Sequence, residues 1–434
     1  MAIFATLMHG DGLAPRGKDR SRCNPSDWRE WRMSEVTVWS RVVRLAVLLL
    51  TALLPGQALA GGKEKVAALA PSGLVFVVDG AGKELLAQNA DEPFVPASVT
   101  KIVTAWLAMQ VLGGEYRFQT RFYLNNARVL YVQGGGDPFL ISEELALLAP
   151  RLVAAVGKKP ITGIVLDASY YPSDLRIPGI EDTNESYDAL NSAFSVNFNT
   201  IAAVRKGDAV LPAETQTPIT PLAISQFRAR GPNGRGRISL GQDPAVSLQY
   251  AGELLAAFLR RAGAKIEGPT STGAVPEELT PVYVHRQSRP LSQILIELLR
   301  GSNNYVANQI FLELGAHRLG GPVSIEKSLT VANEALTAHG LAEAIHIEEG
   351  SGVSRGNSFT ARGLVKVLDL FTPYAHLLRG KDGGANKTGS MDGVRTLAGY
   401  ANTAGSGRIR FVISLKSNDG AMRFQLLHTI ESGL

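Results

Sequence analysis

Apolar stretches separated by turn-forming residues predict both strands and helices in the first part of the chain. The stretches Gly73–Val78 and Lys83–Gln88 flank an Asp-Gly turn and predict a β-hairpin. A strongly apolar run over Ala97–Leu112, which follows Pro96 and ends at a Gly-Gly pair, predicts a helix. Two stretches of alternating apolar and polar residues, Arg117–Leu124 and Arg128–Gln133, predict strands before a glycine-rich break.

The pattern changes over residues 139–289 and changes back from Pro290 onwards. In the middle region, strand-like stretches (Ile161–Leu166 and Phe194–Val204) mix with turn clusters and one amphipathic helix, Leu248–Ala262. The last part predicts helices, with Thr360 as the N-cap of one of them, then a hairpin and a closing helix: Leu291–Leu299, Asn304–Gly315, Ser324–His339, Ala361–Phe371, Thr396–Asn402, Arg410–Lys416 and Ala421–Ile430. We therefore predict an α+β body, residues 61–138 plus 290–434, split by a large mixed insertion, residues 139–289.

Residues 1–60 have the layout of a leader with a secretory signal peptide. Arg41 and Arg44 precede an apolar run of ten residues, Leu45–Leu54, which is too short to span a bilayer, and a small-residue end follows. We expect cleavage after Ala60 and export to the periplasm. Met33 as the true start would give a leader of ordinary length, and an uncleaved signal acting as a membrane anchor stays an alternative.

Composition and charge exclude several classes of protein. The chain has 434 residues, 45% of them hydrophobic and 19% charged, which suits a folded chain of two or three domains. The net charge is +5, but residues 1–60 hold eight basic and five acidic side chains, so the rest carries only +2. We therefore expect no nucleic-acid partner. The single cysteine lies in the leader, which excludes disulfides and thiol catalysis after residue 60.

The strongest chemical signal is Ser98-Val99-Thr100-Lys101 at the start of the predicted apolar helix. Residues i and i+3 share a helix face, so the Lys101 amine can serve as the base that a serine hydroxyl needs to become a nucleophile. Burial in apolar surroundings, near other cations, would favour the neutral amine. Ser98 also lies in the first turn, where free N–H groups favour negative charge.

Two further motifs suit the binding of a peptide. In Ser302-Asn303-Asn304 the Ser302 hydroxyl could relay a proton and the Asn304 amide could bind a peptide carbonyl. In Lys387-Thr388-Gly389, on an edge strand, the first two side chains suit a carboxylate, and the glycine would let the substrate backbone approach closely. Each motif alone is weak, since Ser324–Lys327 and Ser195–Asn197 also fit the first two patterns.

The three motifs in this order resemble the penicillin-binding protein and serine β-lactamase superfamily. Within it, the chain resembles D-alanyl-D-alanine carboxypeptidases/endopeptidases of the penicillin-binding-protein-4 type (peptidase family S13) over residues 70–434. The matching stretches are Pro96–Lys101, Gly135–Pro138, Gly301–Asn304, Gly350–Arg355 and Lys387–Ser390. The long step from Lys101 to Ser302 selects this subfamily.

The resemblance implies a fold, a chemistry and a set of roles. It implies a transpeptidase-like domain, an antiparallel sheet flanked by helices, that carries a serine peptidase acting through an acyl-enzyme on Ser98. Lys101 would be the base, Ser302 the proton relay and Asn304 the ligand of the substrate amide. Lys387, Thr388 and Gly389 would form the substrate-binding strand, and backbone N–H groups of Ser98 and Ser390 the oxyanion hole.

The partners implied are peptidoglycan stem peptides and β-lactam antibiotics as covalent inhibitors, with a peripheral association with the membrane. No cofactor and no metal are expected. The seven histidines include no ligand spacing, and we interpret His346, near Glu348 and Glu349, as a solvated strand end. Asp167 could reach a substrate side chain or act as a turn acid.

Rival hypotheses stay open at this point. Gly352–Gly356 matches the nucleophile elbow of α/β-hydrolases, with Ser354, Asp369 or Asp382, and His428 in the matching order. A non-catalytic peptidoglycan-binding protein on the same scaffold would not be labelled by penicillin. A β-lactamase or esterase would release β-lactams rapidly.

Overall fold

The computed structural model describes residues 61–378 and 385–434, so the predicted leader and signal peptide lie outside the described residues. The helices are α1 to α10: Gly62–Leu69, Thr100–Val111, Ser142–Val156, Pro221–Arg230, Pro244–Arg261, Leu291–Gly301, Asn304–Leu319, Ile325–Ala338, Ala361–Leu370 and Met422–Gly433. The strands are β1 to β15: Leu74–Val78, Glu84–Gln88, Gln119–Leu124, Val129–Gln133, Gly163–Asp167, Thr200–Lys206, Ala209–Pro212, Gly234–Ser239, Thr270–Thr272, Pro281–Arg286, Ile345–His346, Ser358–Phe359, Ala385–Met391, Val394–Thr403 and Gly407–Leu415.

A five-stranded antiparallel sheet, ordered β13-β14-β15-β1-β2, forms the centre of the predicted body. Strand β1 is apolar at every position because both of its faces are covered. Phe76 faces a core shared with α2, α6, α7 and α9, whereas Val75 and Val77 face a second core shared with α10. An α+β fold with an antiparallel sheet between helices is confirmed.

Many of the predicted elements are present. The first hairpin is β1–β2, and the helix at Ala97 begins as one 3-10 turn, Ala97–Val99, before α2. The Thr360 side chain accepts a hydrogen bond from the Gly363 N–H at 3.0 Å, which confirms the predicted cap of α9. None of the helices in residues 61–378 and 385–434 is long and apolar enough to cross a bilayer.

The inserted region forms its own core around a mixed sheet, ordered β10-β3-β4-β5-β9, and a three-stranded sheet, β7-β6-β8. Strands β3 and β4 lie before the predicted boundary at residue 138, yet β3 pairs with β10 and β4 pairs with β5. The sheet pairing therefore favours an inserted unit that begins near residue 117. The division into domains stays a prediction, and the pairing revises its first boundary.

Two predictions for the inserted region differ from the structure. The strand predicted over Phe194–Val204 begins only at Thr200, because residues 197–199 adopt left-handed backbone angles and end the extended path. Helix α3 was not predicted, since it contains Pro150. Burial of Leu145, Leu148 and Leu152 on one face holds this helix despite the proline.

Candidate active site

Ser98 lies in a tight turn that two other segments hold in place. The residue before it, Ala97, has a φ of +50°, a strained angle for a residue with a side chain. A Cβ added to Gly352 would lie 1.9 Å from the Ala97 carbonyl oxygen, so only glycine fits against this turn. On the other side, the Thr396 hydroxyl donates to the Pro96 carbonyl oxygen at 2.8 Å. The turn therefore presents Ser98, which is partly exposed, at a fixed place.

Lys101 is fully buried one turn further along, and its amine nitrogen lies 3.1 Å from Ser98 Oγ. Nζ also lies 2.8 Å from Asn304 Oδ1 and 2.6 Å from the Ser351 carbonyl oxygen. Because both of these oxygens only accept hydrogen bonds, a neutral amine would give them its two N–H groups. Its lone pair would then remain for the Ser98 hydroxyl.

Electrostatics favour that neutral amine. Burial lowers the pKa of Lys101 well below its usual value because the cation loses its hydration. The positive charge of Lys387 lowers this pKa further, whereas the negative charge of Glu349 raises it. A lysine in this environment is poised to accept a proton.

Ser302 and Asn304 come from the junction of α6 and α7. Ser302 ends α6 in the left-handed conformation, with φ +58°, and its backbone N–H donates to the Leu298 carbonyl at 2.7 Å. Asn303 then caps α7 by accepting from the Val306 N–H at 3.2 Å. Because Ser302 caps the end of α6 and Asn303 caps the start of α7, the Asn304 side chain takes part in neither cap and can contact Lys101.

The Lys-Thr-Gly motif lies on β13, the edge strand next to β14, as predicted. The buried Lys387 amine donates to the Thr388 carbonyl at 2.9 Å. A Cβ on Gly389 would lie 2.1 Å from Thr396 Oγ1 and 2.8 Å from the Pro96 carbonyl oxygen. The close approach seen at Gly389 is thus between two parts of the protein, and an approach of substrate stays a prediction.

A cleft of about 460 Å³ brings four of the predicted residues together: Ser98, Ser302, Asn304 and Ser390. Lys101 joins them through its hydrogen bonds to Ser98 and Asn304. Among the described residues, Lys387, Thr388 and Gly389 precede Ser390 on β13 without forming part of the cleft wall.

Sequence reasoning missed two residues here: Tyr187 in the wall of the cleft, and Glu349 in the segment beside it. Tyr187, from the inserted region, lines it with Arg355, and the Tyr187 carbonyl accepts from Asn304 Nδ2 at 3.4 Å. No pattern around Tyr187 marks it in the sequence. Glu349 is buried and accepts from the N–H groups of Ser351 and Gly352, at 2.7 and 2.6 Å.

His346, interpreted as a solvated strand end, is exposed at the end of β11, whereas the nearby Glu349 is buried. Its carboxylate organises the Gly350–Arg355 segment beside the nucleophile, because five hydrogen bonds from that neighbourhood converge on it.

The nucleophile-elbow hypothesis fails on geometry. The Ser354 hydroxyl donates to Glu348 Oε2 at 2.5 Å, and Asp369 forms an ion pair with Arg410 at 2.6 Å. His428 is exposed on α10, and Asp382 lies outside the described residues. The contacts of Asp167 are those of a turn acid, since its oxygens accept from the N–H groups of Ser169 and Val275.

Within residues 61–378 and 385–434, no cluster of His, Cys, Asp or Glu side chains could hold a metal ion. The expectation that the chemistry needs no metal and no cofactor stays a prediction.

Comparisons with known proteins identify the family of this chain. The model of the D-Ala-D-Ala carboxypeptidase 3 (S13) family matches residues 67–237 and 240–378, a range that holds Ser98, Lys101, Ser302 and Asn304. The chain is 27% identical over 411 residues to the D-alanyl-D-alanine carboxypeptidase of Actinomadura sp. (strain R39), which covers 76% of this chain and 75% of that protein. It is 24% identical to D-alanyl-D-alanine carboxypeptidase DacB of Haemophilus influenzae, over 75% of this chain and 81% of the relative.

Solved structures support the same fold. Penicillin-binding protein 4 (dacB) of Haemophilus influenzae superposes with a TM-score of 0.67 at 19% identity, over 84% of this chain and 97% of that one. A complex of the same protein with a β-lactam gives a TM-score of 0.63 at 20% identity, over 85% and 99% of the two chains. With more than half of its length matched by the family model, this chain belongs to the D-Ala-D-Ala carboxypeptidase 3 (S13) family.

Proposed function

We propose that Ser98 is the nucleophile with which this member of the S13 family acts as a serine-type D-Ala-D-Ala carboxypeptidase or endopeptidase. The observation that carries the proposal is the 3.1 Å contact between Ser98 Oγ and a fully buried Lys101 amine whose pKa is lowered well below its usual value. A hydroxyl next to a neutral amine is an activated nucleophile.

In the acylation step, Lys101 accepts the Ser98 proton as the serine oxygen forms a bond to the carbonyl carbon of the substrate. The backbone N–H groups of Ser98 and Ser390 stabilise the negative charge on the carbonyl oxygen. The bond to the leaving amino group then breaks, and Ser302 donates its proton to the departing nitrogen while it accepts from Lys101 the proton that came from Ser98. Lys101 is then neutral again. Water later hydrolyses the acyl-enzyme and restores Ser98.

The substrate is held by groups on both sides of the cleft. Asn304 hydrogen bonds to the substrate amide, and its side chain is already oriented by Lys101 at 2.8 Å. Lys387 and Thr388 bind the terminal carboxylate, and Gly389 keeps the strand close to the nucleophile. We propose peptidoglycan stem peptides as the substrates and β-lactams as covalent inhibitors, supported by the relative that was solved with a β-lactam.

The place of action follows from the leader. We propose that the signal peptide directs the chain to the periplasm, with cleavage after Ala60 and a peripheral association with the membrane. This part of the proposal rests on the sequence of residues 41–60.

The test is the intact mass of the protein after treatment with penicillin G. We expect one penicilloyl adduct on the wild type and none on Ser98→Ala. Ser354→Ala is the matched control, since its hydroxyl lies in the neighbouring segment, and it should still be labelled. An adduct that survives Ser98→Ala, or that disappears with Ser354→Ala, would overturn the proposal. Rapid release of the adduct would instead indicate a β-lactamase.

A further inference from the structure

A second cleft, of about 570 Å³, lies between the inserted region and the far end of α7. Its wall includes Tyr116, Arg121, Tyr170 and Glu313, and two glutamine side chains add to its polar lining. Gly134, Gly135 and Gly321 also line the cleft.

This cleft is separate from the candidate active site. Asn304, in the active-site wall, and Glu313, in the second cleft, are nine residues apart on α7. At about 1.5 Å and 100° per residue, the two positions are roughly 14 Å apart along the axis and face opposite sides of the helix. A molecule in one cleft would not occupy the other.

Glu313 is an acid with hydrogen-bond donors but no countercharge. Its side chain is buried, with the residue 5% exposed. The Tyr116 hydroxyl donates to Oε1 at 2.6 Å and the Tyr170 hydroxyl donates to Oε2 at 3.0 Å. No Lys, Arg or His of the described residues forms an ion pair with it.

Burial raises the pKa of Glu313, and the two tyrosine hydrogen bonds only oppose that rise. Each carboxylate oxygen keeps acceptor capacity beyond its one tyrosine. A cationic group in the cleft would supply the missing countercharge.

Arg121 brings a positive charge to the same cleft from β3. Arg121 lines the cleft together with Tyr116 and Tyr170. Burial raises the pKa of both tyrosines, and the positive charge of Arg121 opposes this rise. The side chain is exposed, and one N–H donates to Gln119 Oε1 at 3.3 Å. Among the described residues, Arg121 has no acidic partner.

We propose that this second cleft binds a small zwitterion, with an ammonium group on Glu313 and a carboxylate on Arg121. A free amino acid carries both charges on one carbon, and a short free peptide carries them at its two ends. The site stands on its own contacts and does not depend on the proposed function. If that function holds, the enzyme releases one such molecule, D-alanine.

Isothermal titration of the full chain tests the site with two probes, D-alanine and D-alanyl-D-alanine. We expect saturable binding of at least one probe, and the tighter of the two shows whether the cleft prefers a free amino acid or a short free peptide. D-lactate lacks the ammonium group and ethylamine lacks the carboxylate, so each should bind about tenfold more weakly or worse.

Two variants place the binding in this cleft. Glu313→Gln keeps partners for both tyrosine hydroxyls but loses the charge, and Arg121→Gln changes an exposed side chain that the fold does not need. Each should weaken binding by about tenfold or more. The exposed Arg151→Gln is the matched control and should bind as the wild type does.

The proposal fails if neither probe saturates the wild type, if both variants bind like the wild type, or if the singly charged analogues bind equally well. Because Arg121→Gln should not affect folding, a Glu313→Gln protein that unfolds does not prevent the test. The titrations also do not need Ser98 to react, so they remain decisive if the proposed activity is absent.

Discussion

The three oxygens around the Lys101 amine are uncharged, which is unusual for a buried lysine. A buried ammonium normally has a carboxylate partner, since removing a charge from water costs far more than a hydrogen bond returns. Here the carboxylate of Glu349 is instead committed to the N–H groups of its own loop. The fold therefore buries the Lys101 amine without an ion pair, and burial, together with the charge of Lys387, lowers its pKa.

Lys387 gives a prediction at this scale, because its positive charge lowers the pKa of Lys101. Acylation needs the neutral amine, so its rate should rise with pH through the pKa of Lys101. Lys387→Ala removes the repulsion, raises that pKa and should move the rising limb to higher pH. The measurement is the rate of acylation by penicillin G as a function of pH.

Lys387→Arg is the control for charge. It keeps the positive charge, so its rising limb should stay where the wild type has it even if the rate falls through altered substrate contacts. If the rising limb of the pH dependence stays at the same pH in Lys387→Ala, then Lys387 does not influence the pKa of Lys101.

At the scale of elements, the site depends on how closely β13 packs on the turn that carries Ser98. Strand β13 lies at the edge of its sheet, so among the described strands only β14 pairs with it. Arg423 of α10 adds support from behind by donating to the Gly389 carbonyl at 2.7 Å and to Ser390 Oγ at 3.0 Å. Helix α10 and the turn at Ser98 thus hold β13 from two directions.

Gly389→Ala should disturb this packing. The new Cβ would lie 2.8 Å from the backbone oxygen of Pro96, which cannot rotate away, so the strand or the turn must shift. We expect a loss of stability of about 1–3 kcal/mol together with slower acylation. Thermal unfolding and the rate of penicillin acylation measure the two effects.

Gly301→Ala is the matched control, since a Cβ there meets nothing within 4 Å. It should unfold at the wild-type temperature. A Gly389→Ala protein that matches the wild type in both stability and acylation rate would show that the packing between β13 and the turn at Ser98 can accept a Cβ.

Elements with strong periodicity and clear caps were predictable, and elements held by tertiary burial were not. Helix α9 follows from Thr360 and an apolar face, both visible in the sequence. Helix α3 does not, because Pro150 signals a break that the buried leucines around it overcome. Sequence patterns record local preference, whereas burial depends on a partner surface that comes from elsewhere in the chain.

At the scale of the whole molecule, a buried pair links two parts of the chain that are 150 residues apart. Asp137, which follows β4, accepts two hydrogen bonds from Gln287, which follows β10, at 3.1 and 2.9 Å. The Phe139 N–H adds a third bond, at 2.8 Å. The acid lies in the Gly-Gly-Asp-Pro stretch that the family resemblance singled out.

Asp137 predicts a pH dependence of stability. Burial raises its pKa from 3.8 to about 6, and the bonds from Phe139 and Gln287 only oppose this. A group with a raised pKa in the folded state stabilises the fold fully below its unfolded pKa, and that contribution is lost as pH rises through about 6. The free energy of unfolding should therefore fall by roughly 3 kcal/mol between about pH 4 and pH 7 on account of this residue.

Asp137→Asn should remove this dependence: an amide oxygen in the Oδ1 position keeps the bonds from Phe139 and from Gln287, whereas the second bond from Gln287, to Oδ2, is lost. The exposed Asp174→Asn is the control and should keep the wild-type profile. Urea unfolding at several pH values measures both. A profile that stays unchanged in Asp137→Asn would mean that Asp137 titrates like an exposed acid.

The sequence by itself determined the family resemblance, the α+β class and the identity of the candidate reacting groups. Short motifs are enough for this, because Ser98 and Lys101 are one turn apart and the local helix sets their contact. Only the tertiary structure decided how Asn304, Tyr187 and β13 come to the same cleft. It also decided that Gly389 serves packing within the protein and that the inserted sheet includes β3, from Gln119 onwards. These contacts join residues up to some three hundred positions apart, and such pairings depend on how separate surfaces fit, which no local pattern records.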